Sequence, residues 1–206
     1  MLFTNNFIFI HVPKTAGTSI QNALGPQTSI RYRSTLHKNC DRRFSDHITI
    51  ARLAARAGEV PLKARFVFAF VRNPWERAQS LYHHIIQHGQ NRKWEQEIPR
   101  YQQQGLNDWI VNDMEKWIVY ATSWHHNGNI YQQSSWIAGY NMDFIGRYEN
   151  LQNDFNHVCK ILNIQCKLPH ALKTQHEHYS KEYTDTGREK IAQLFARDIK
   201  RFDYGF

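Results

Sequence analysis

Two short stretches set charged and hydroxyl side chains at spacings suited to gripping an anion. The first is His11-Val12-Pro13-Lys14-Thr15-Ala16-Gly17-Thr18-Ser19. It follows an apolar run at 7–11 and precedes a helical pattern at 18–24, so it joins a strand to a helix. Ala16 and Gly17 are small enough for backbone amides to approach a negative ligand, and the helix N-terminus favours one there. Lys14 adds a mobile positive charge. Thr15, Thr18 and Ser19 add hydroxyl donors. This is phosphate-loop chemistry without the Walker spacing G-x-x-x-x-G-K-[ST]. The second stretch is Val71-Arg72-Asn73-Pro74-Trp75-Glu76-Arg77-Ala78-Gln79-Ser80. Arg72 ends a strand, where ligands bind in open α/β sheets. Ser80 lies about two turns into the next helix, and an Arg and a hydroxyl so placed can hold one phosphate. The plain alternatives are an exposed lysine in a strand–turn–helix and an arginine capping a sheet.

The elements that must position these residues are readable in outline. Residues 65–71 (RFVFAFV) are apolar on both faces, as in a central parallel strand. Pro74 at the first helical position opens a helix to about His88. A helix with Ser45 as N-cap carries Ile48, Ala51 and Ala55, and a short strand is expected near 29–33. Residues 89–105 are polar and Gln-rich and read as a lid-like surface insertion. Helices are expected at 106–120 and 131–138, and a strand at 142–147. Leu151, Phe155, Val158 and Leu162 form a helical stripe. A last helix, with Thr186 and Glu189 as its capping box, carries Ile191, Leu194, Phe195 and Ile199. The order of elements gives an α/β chain with a small parallel sheet, in one domain over 1–206.

Composition narrows the function. Twenty-six Lys and Arg against 18 Asp and Glu leave a charge of +8, which favours anionic ligands. Aromatic residues make up 14% of the chain, ample for a core. Cys40, Cys159 and Cys166 form no C-x-x-C pair and read as free thiols in a reducing compartment. No apolar run reaches membrane-spanning length, and the first strand does not read as a signal peptide. Arg31, Arg33, Lys38, Arg42 and Arg43 cluster before His47, either as a solvated face or as a lure for an acidic acceptor.

Together, and in this order, the two stretches resemble the PAPS-dependent sulfotransferases, most closely the carbohydrate group with bacterial members and heparan sulfate 2-O-sulfotransferases. Phe144-Ile145-Gly146-Arg147-Tyr148-Glu149-Asn150-Leu151 is similar to that family's Arg-[Phe/Tyr]-Glu-Asn-Leu segment. Residues 198–206 (DIKRFDYGF) are similar to its Asp-x-x-x-Phe-x-Tyr ending. The resemblance implies a P-loop-like three-layer α/β fold, with helices flanking a small central parallel sheet. It implies that Lys14, Thr15, Ala16, Gly17, Thr18 and Ser19 hold the 5′-phosphosulfate of 3′-phosphoadenosine 5′-phosphosulfate (PAPS), and Arg72 and Ser80 its 3′-phosphate. Lys173, beside Thr174, falls where related enzymes close a loop over the nucleotide. PAP is then the product.

On this reading Lys14 stabilises the leaving phosphate and His47 takes the acceptor's proton, with Asp46 where the family has Gly. A residue without special role in a first helical turn is the alternative for His47. His83 or His84 could face the acceptor. His125-His126 and His176-Glu177-His178 read as solvated, the latter without metal spacing. Gln132, Gln133 and Ser134 read either as a helix start or as acceptor contacts. Trp75 reads as core or as an adenine neighbour, and Arg77 as a brace of the loop. No metal and no nucleic acid are expected. The acceptor is expected to be a carbohydrate, with a protein tyrosine, a small alcohol or a phenol as alternatives. The expected setting is the cytoplasm of a bacterium, and the oligomeric state is open. A kinase would need the Walker lysine and a Mg²⁺-holding Asp. A non-catalytic binder of nucleic acid or sulfated glycan is the other class the charge permits.

Overall fold

Strict alternation along two apolar strands builds the centre of the molecule. In the computed structural model, which describes residues 1–27, 48–57, 63, 65–88, 95–116, 132–169 and 177–206, strands β1 (Leu2–Phe3), β2 (Phe7–Ile10), β3 (Phe66–Val71) and β4 (Phe144–Arg147) form one sheet in that order. β1 runs antiparallel to β2, and β2, β3 and β4 are parallel. Side chains on a strand alternate between faces. Ile8, Ile10, Val67, Ala69 and Val71 therefore pack on one side, against Ile50, Leu53, Trp136 and Phe202. Phe7, Phe9, Phe68 and Phe70 pack on the other, against Ile20, Leu24, Phe155 and Val158. Gly146 is glycine because a Cβ there would lie 2.5 Å from the Phe70 ring.

Helices cover both faces. They are α1 (Gly17–Leu24), α2 (Ile50–Ala57), α3 (Pro74–His88), α4 (Ile98–Asn112), α5 (Gln133–Trp136), α6 (Leu151–Leu162), α7 (Asp185–Leu194) and α8 (Ala196–Phe202). The parallel register sets Ile10 beside Ala69 and Val71 beside Arg147. The carboxyl ends of three neighbouring strands thus emerge together, and the segments of Lys14, Arg72 and Tyr148 leave from them.

Several sequence expectations are corrected. Residues 98–105 of the expected insertion are helical: they open α4, which buries Ile98, Tyr101, Leu106, Trp109 and Ile110. Glutamine is a good helix former, so a Gln-rich stretch with two anchoring apolar residues can hold a helix. Gly105, at φ 77°, kinks it. The helix expected at 131–138 is the single turn of α5. Thr184, not Thr186, caps α7 by accepting from the Gly187 amide, and the final stripe divides between α7 and α8 at Phe195. Ser45, the strand near 29–33 and residues 89–94 of the insertion lie outside the described residues.

One buried brace ties the C-terminal helices to the central strand. The Gln133 amide accepts from the Arg72 backbone N–H at 2.8 Å and donates to the Arg72 carbonyl at 2.7 Å. The carboxylate of Asp198, fully buried, accepts from the Gln133 and Ser134 amides at 2.6 and 2.8 Å. Asp198→Ala strands both donors, at about 1–3 kcal/mol each. The thermal midpoint should fall by more than about 5 °C, at roughly 2–4 °C per kcal/mol for this size. A midpoint unchanged by differential scanning calorimetry would refute the brace.

Candidate active site

The loop between β2 and α1 is held in a shape that few residues adopt. Lys14 and Ala16 both have positive φ, 68° and 64°. Such left-handed residues are strained and persist where surrounding structure enforces them. Alternation of left-handed and ordinary residues also turns successive amides toward one concavity, an anion nest. Thr15, fully buried, donates its hydroxyl to the Val12 carbonyl at 2.9 Å and closes the turn. Gly17 has no room for a Cβ, which would lie 1.9 Å from the His11 ring. His11 itself stacks on Phe9. Among the described residues no side chain caps the N-terminus of α1.

Two arginines grip this loop by its carbonyls. Arg77 donates through Nε to Pro13 at 3.0 Å. Arg72 donates through Nη1 to Lys14 at 3.4 Å and through Nη2 to Glu76 at 3.1 Å. The Arg72 guanidinium lies 3.7 Å from the centre of the Tyr148 ring. Its Nε is buried and has no hydrogen-bond partner among the described residues. Asn73, next in the chain, accepts from the Trp75 amide at 3.0 Å and so caps α3. Its own amide donates to Glu149, and its Nδ2 donates to the Gly205 carbonyl at 2.8 Å.

The electrostatics follow from this crowding. Burial, then the charges of Arg72 and Arg77, bring Lys14 down to about 8. Burial brings Arg77 down to about 10, with Asp198 opposing and Arg72 adding to the shift. The Lys14 ammonium has no hydrogen bond or ion pair to any described residue. Three cations therefore meet at the strand ends, one of them uncommitted.

A family model described as "Sulfotransferase family" matches residues 2–205. The chain belongs to the sulfotransferase family. Its mixed α/β sheet with flanking helices is the sulfotransferase fold, and its chemistry is transfer of a sulfuryl group. Neither the curated proteins nor the solved structures contain a match to this sulfotransferase.

Of the residues expected in the sulfotransferase site, Lys14, Thr15, Ala16, Gly17 and Arg72 come together. Ser19 is buried at the start of α1 and Thr18 is exposed there. Ser80 is buried on α3, two turns beyond the Arg72 turn. His47 and Lys173 lie outside the described residues, as do His125, His126, His176 and the basic cluster 31–43. Trp75 is a core residue, donating its indole N–H to the Arg188 carbonyl. Arg77 braces the loop through a carbonyl. Gln132, Gln133 and Ser134 are buried in the brace. His83 pairs with Glu182 at 3.5 Å, and His178 meets Ser180. Among the described residues no group of three or more His, Cys, Asp or Glu could hold a metal. Sequence reasoning gave no role to Tyr148, Glu76, Glu149 or Asp198. All four lie in stretches that carry a signal: Glu76 in 71–80, Tyr148 and Glu149 in the Arg-Tyr-Glu segment, and Asp198 at the head of the Asp-x-x-x-Phe-x-Tyr ending.

The shifted lysine gives a signed pH effect. Below about pH 8 both folded and unfolded chains carry the Lys14 proton. Between about 8 and the ordinary 10.5 the unfolded chain binds more protons, so this group adds stability as pH rises. In urea melts without anions, wild type should gain stability from pH 8 to 10 relative to Lys14→Met. A wild-type-minus-variant difference that is flat with pH would contradict the shift.

Proposed function

We propose that this sulfotransferase moves the sulfuryl group of PAPS to a hydroxyl of a carbohydrate acceptor by in-line displacement. The observation that carries the reading is the Lys14 ammonium beside Arg72: among the described residues neither it nor the buried Arg72 Nε has a partner. Such donors fit a ligand with two separate anionic ends. The strained loop, with Lys14, Thr15, Ala16, Gly17, Thr18 and Ser19, would hold the 5′-phosphosulfate. Arg72 and Ser80 would hold the 3′-phosphate, and Lys173 would close over the nucleotide.

PAPS, when bound, supplies a sulfuryl group already attached to a phosphate leaving group. The chain's part is positioning and charge. Lys14 offers its ammonium, and the loop its fixed amides, where negative charge grows on departure of the phosphate. His47 takes the proton of the acceptor hydroxyl, work suited to an imidazole near neutral pH. We place the enzyme in the bacterial cytoplasm as a single domain. Among the described residues no helix is long and apolar enough to cross a membrane.

Calorimetric titration with PAP beside ADP tests the nucleotide assignment. Wild type should prefer PAP. Arg72→Ala should lose at least about tenfold in PAP affinity, since a hydrogen bond to a charged group is worth roughly 1.5–3 kcal/mol. His47→Ala should keep PAP binding and lose about 10²–10⁴-fold in turnover of labelled PAPS with glycan acceptors. No preference for PAP, with strong salt dependence throughout, would replace this reading with a polyanion binder.

A further inference from the structure

The parallel register between β3 and β4 sets Arg147 beside Val71, so the residues that follow, Tyr148 and Arg72, leave the sheet together. The Tyr148 ring meets the Arg72 guanidinium at 3.7 Å from its centre. Glu76 takes one terminal nitrogen and the Lys14 carbonyl the other. The guanidinium is thus fixed by one face and two donors. Among the described residues, Nε and one proton on each terminal nitrogen have no acceptor, of the five that arginine carries.

Tyr148 is poorly explained by packing. It is only partly buried and belongs to none of the three apolar clusters. Its hydroxyl makes no hydrogen bond to a described residue. Its ring face lies against Arg72. A flat aromatic platform restricts a long, flexible side chain to one plane, so less freedom is lost when a ligand binds.

We propose that Tyr148 is a positioning residue that sets selectivity for a 3′-phosphate, acting through Arg72. The inference rests on the reading of Arg72 as the 3′-phosphate ligand. Tyr148 touches no reacting atom. It holds the Arg72 plane so that the uncommitted donors face the phosphate that PAP has and ADP lacks. The expected signature is a loss of discrimination between the two nucleotides, with no general loss of nucleotide binding.

The test is the ratio of PAP to ADP affinity by calorimetry in wild type, Tyr148→Phe, Tyr148→Leu and Tyr148→Met, with folding checked by circular dichroism. The methionine variant fills a similar volume without a π face and serves if the leucine variant does not fold. Phe should keep the wild-type ratio. Leu and Met should lower it by about threefold to thirtyfold, the range of a cation–π contact, with ADP affinity held within about twofold. An unchanged ratio in both aliphatic variants would overturn the proposal while leaving the nucleotide assignment standing. Equal losses for PAP and ADP would overturn it as well, by showing a general structural role. A wild type without PAP preference would overturn the nucleotide assignment and, with it, this inference.

Discussion

Like charges repel, and this fold packs three of them at the ends of adjacent strands. Lys14, Arg72 and Arg77 sit where β2 and β3 emerge, and the mutual repulsion adds to burial in lowering Lys14 to about 8. Such a cluster stays in place only if other groups hold it. Asp198 supplies buried negative charge near Arg77 and anchors α5 through two amides. Gln133 then grips the Arg72 backbone on both its polar groups. Glu149 receives the Asn73 amide, and Tyr204 donates to Glu149 at 3.2 Å. Segments far apart in the chain converge on one turn of two residues.

The same constraint explains the loop. Both arginines spend donors on loop carbonyls, so the positive field is fixed to the strained backbone that carries the amides. Charge, amides and the first turn of α1 point to one class of ligand. On the proposed function the charge and the amides are in place before the anion arrives, and no reorganisation is then needed during the reaction.

What the sequence disclosed depended on range. β2, β3, α3 and α6 were legible because each carries its own local signal: an apolar run, Pro74 after Asn73, or a 3-4 stripe from Leu151 to Leu162. The placement of Lys14 and Arg72 together at the strand ends was legible because each follows an apolar strand run. The braces were not. Gln133 and Asp198 act on residues more than 60 positions away: Asp198 heads the Asp-x-x-x-Phe-x-Tyr ending, yet nothing local names the partners either residue holds. Tyr148 lay in a quoted motif, yet an aromatic residue reads first as core, and only the register of β4 on β3 reveals its charge partner. The Gln-rich start of α4 reads as a surface insertion because only Ile98 and Tyr101 mark its buried side.

The central claim is that the Lys14 charge is unsatisfied until an anion binds. Its most direct test is NMR titration of the Lys14 side chain in protein with isotopically labelled lysine, assigned with Lys14→Arg, with and without saturating PAP. The account predicts a midpoint near 8 in the free protein and a rise of at least one pH unit with PAP. A free-protein midpoint near the ordinary 10.5, unmoved by PAP, would contradict it.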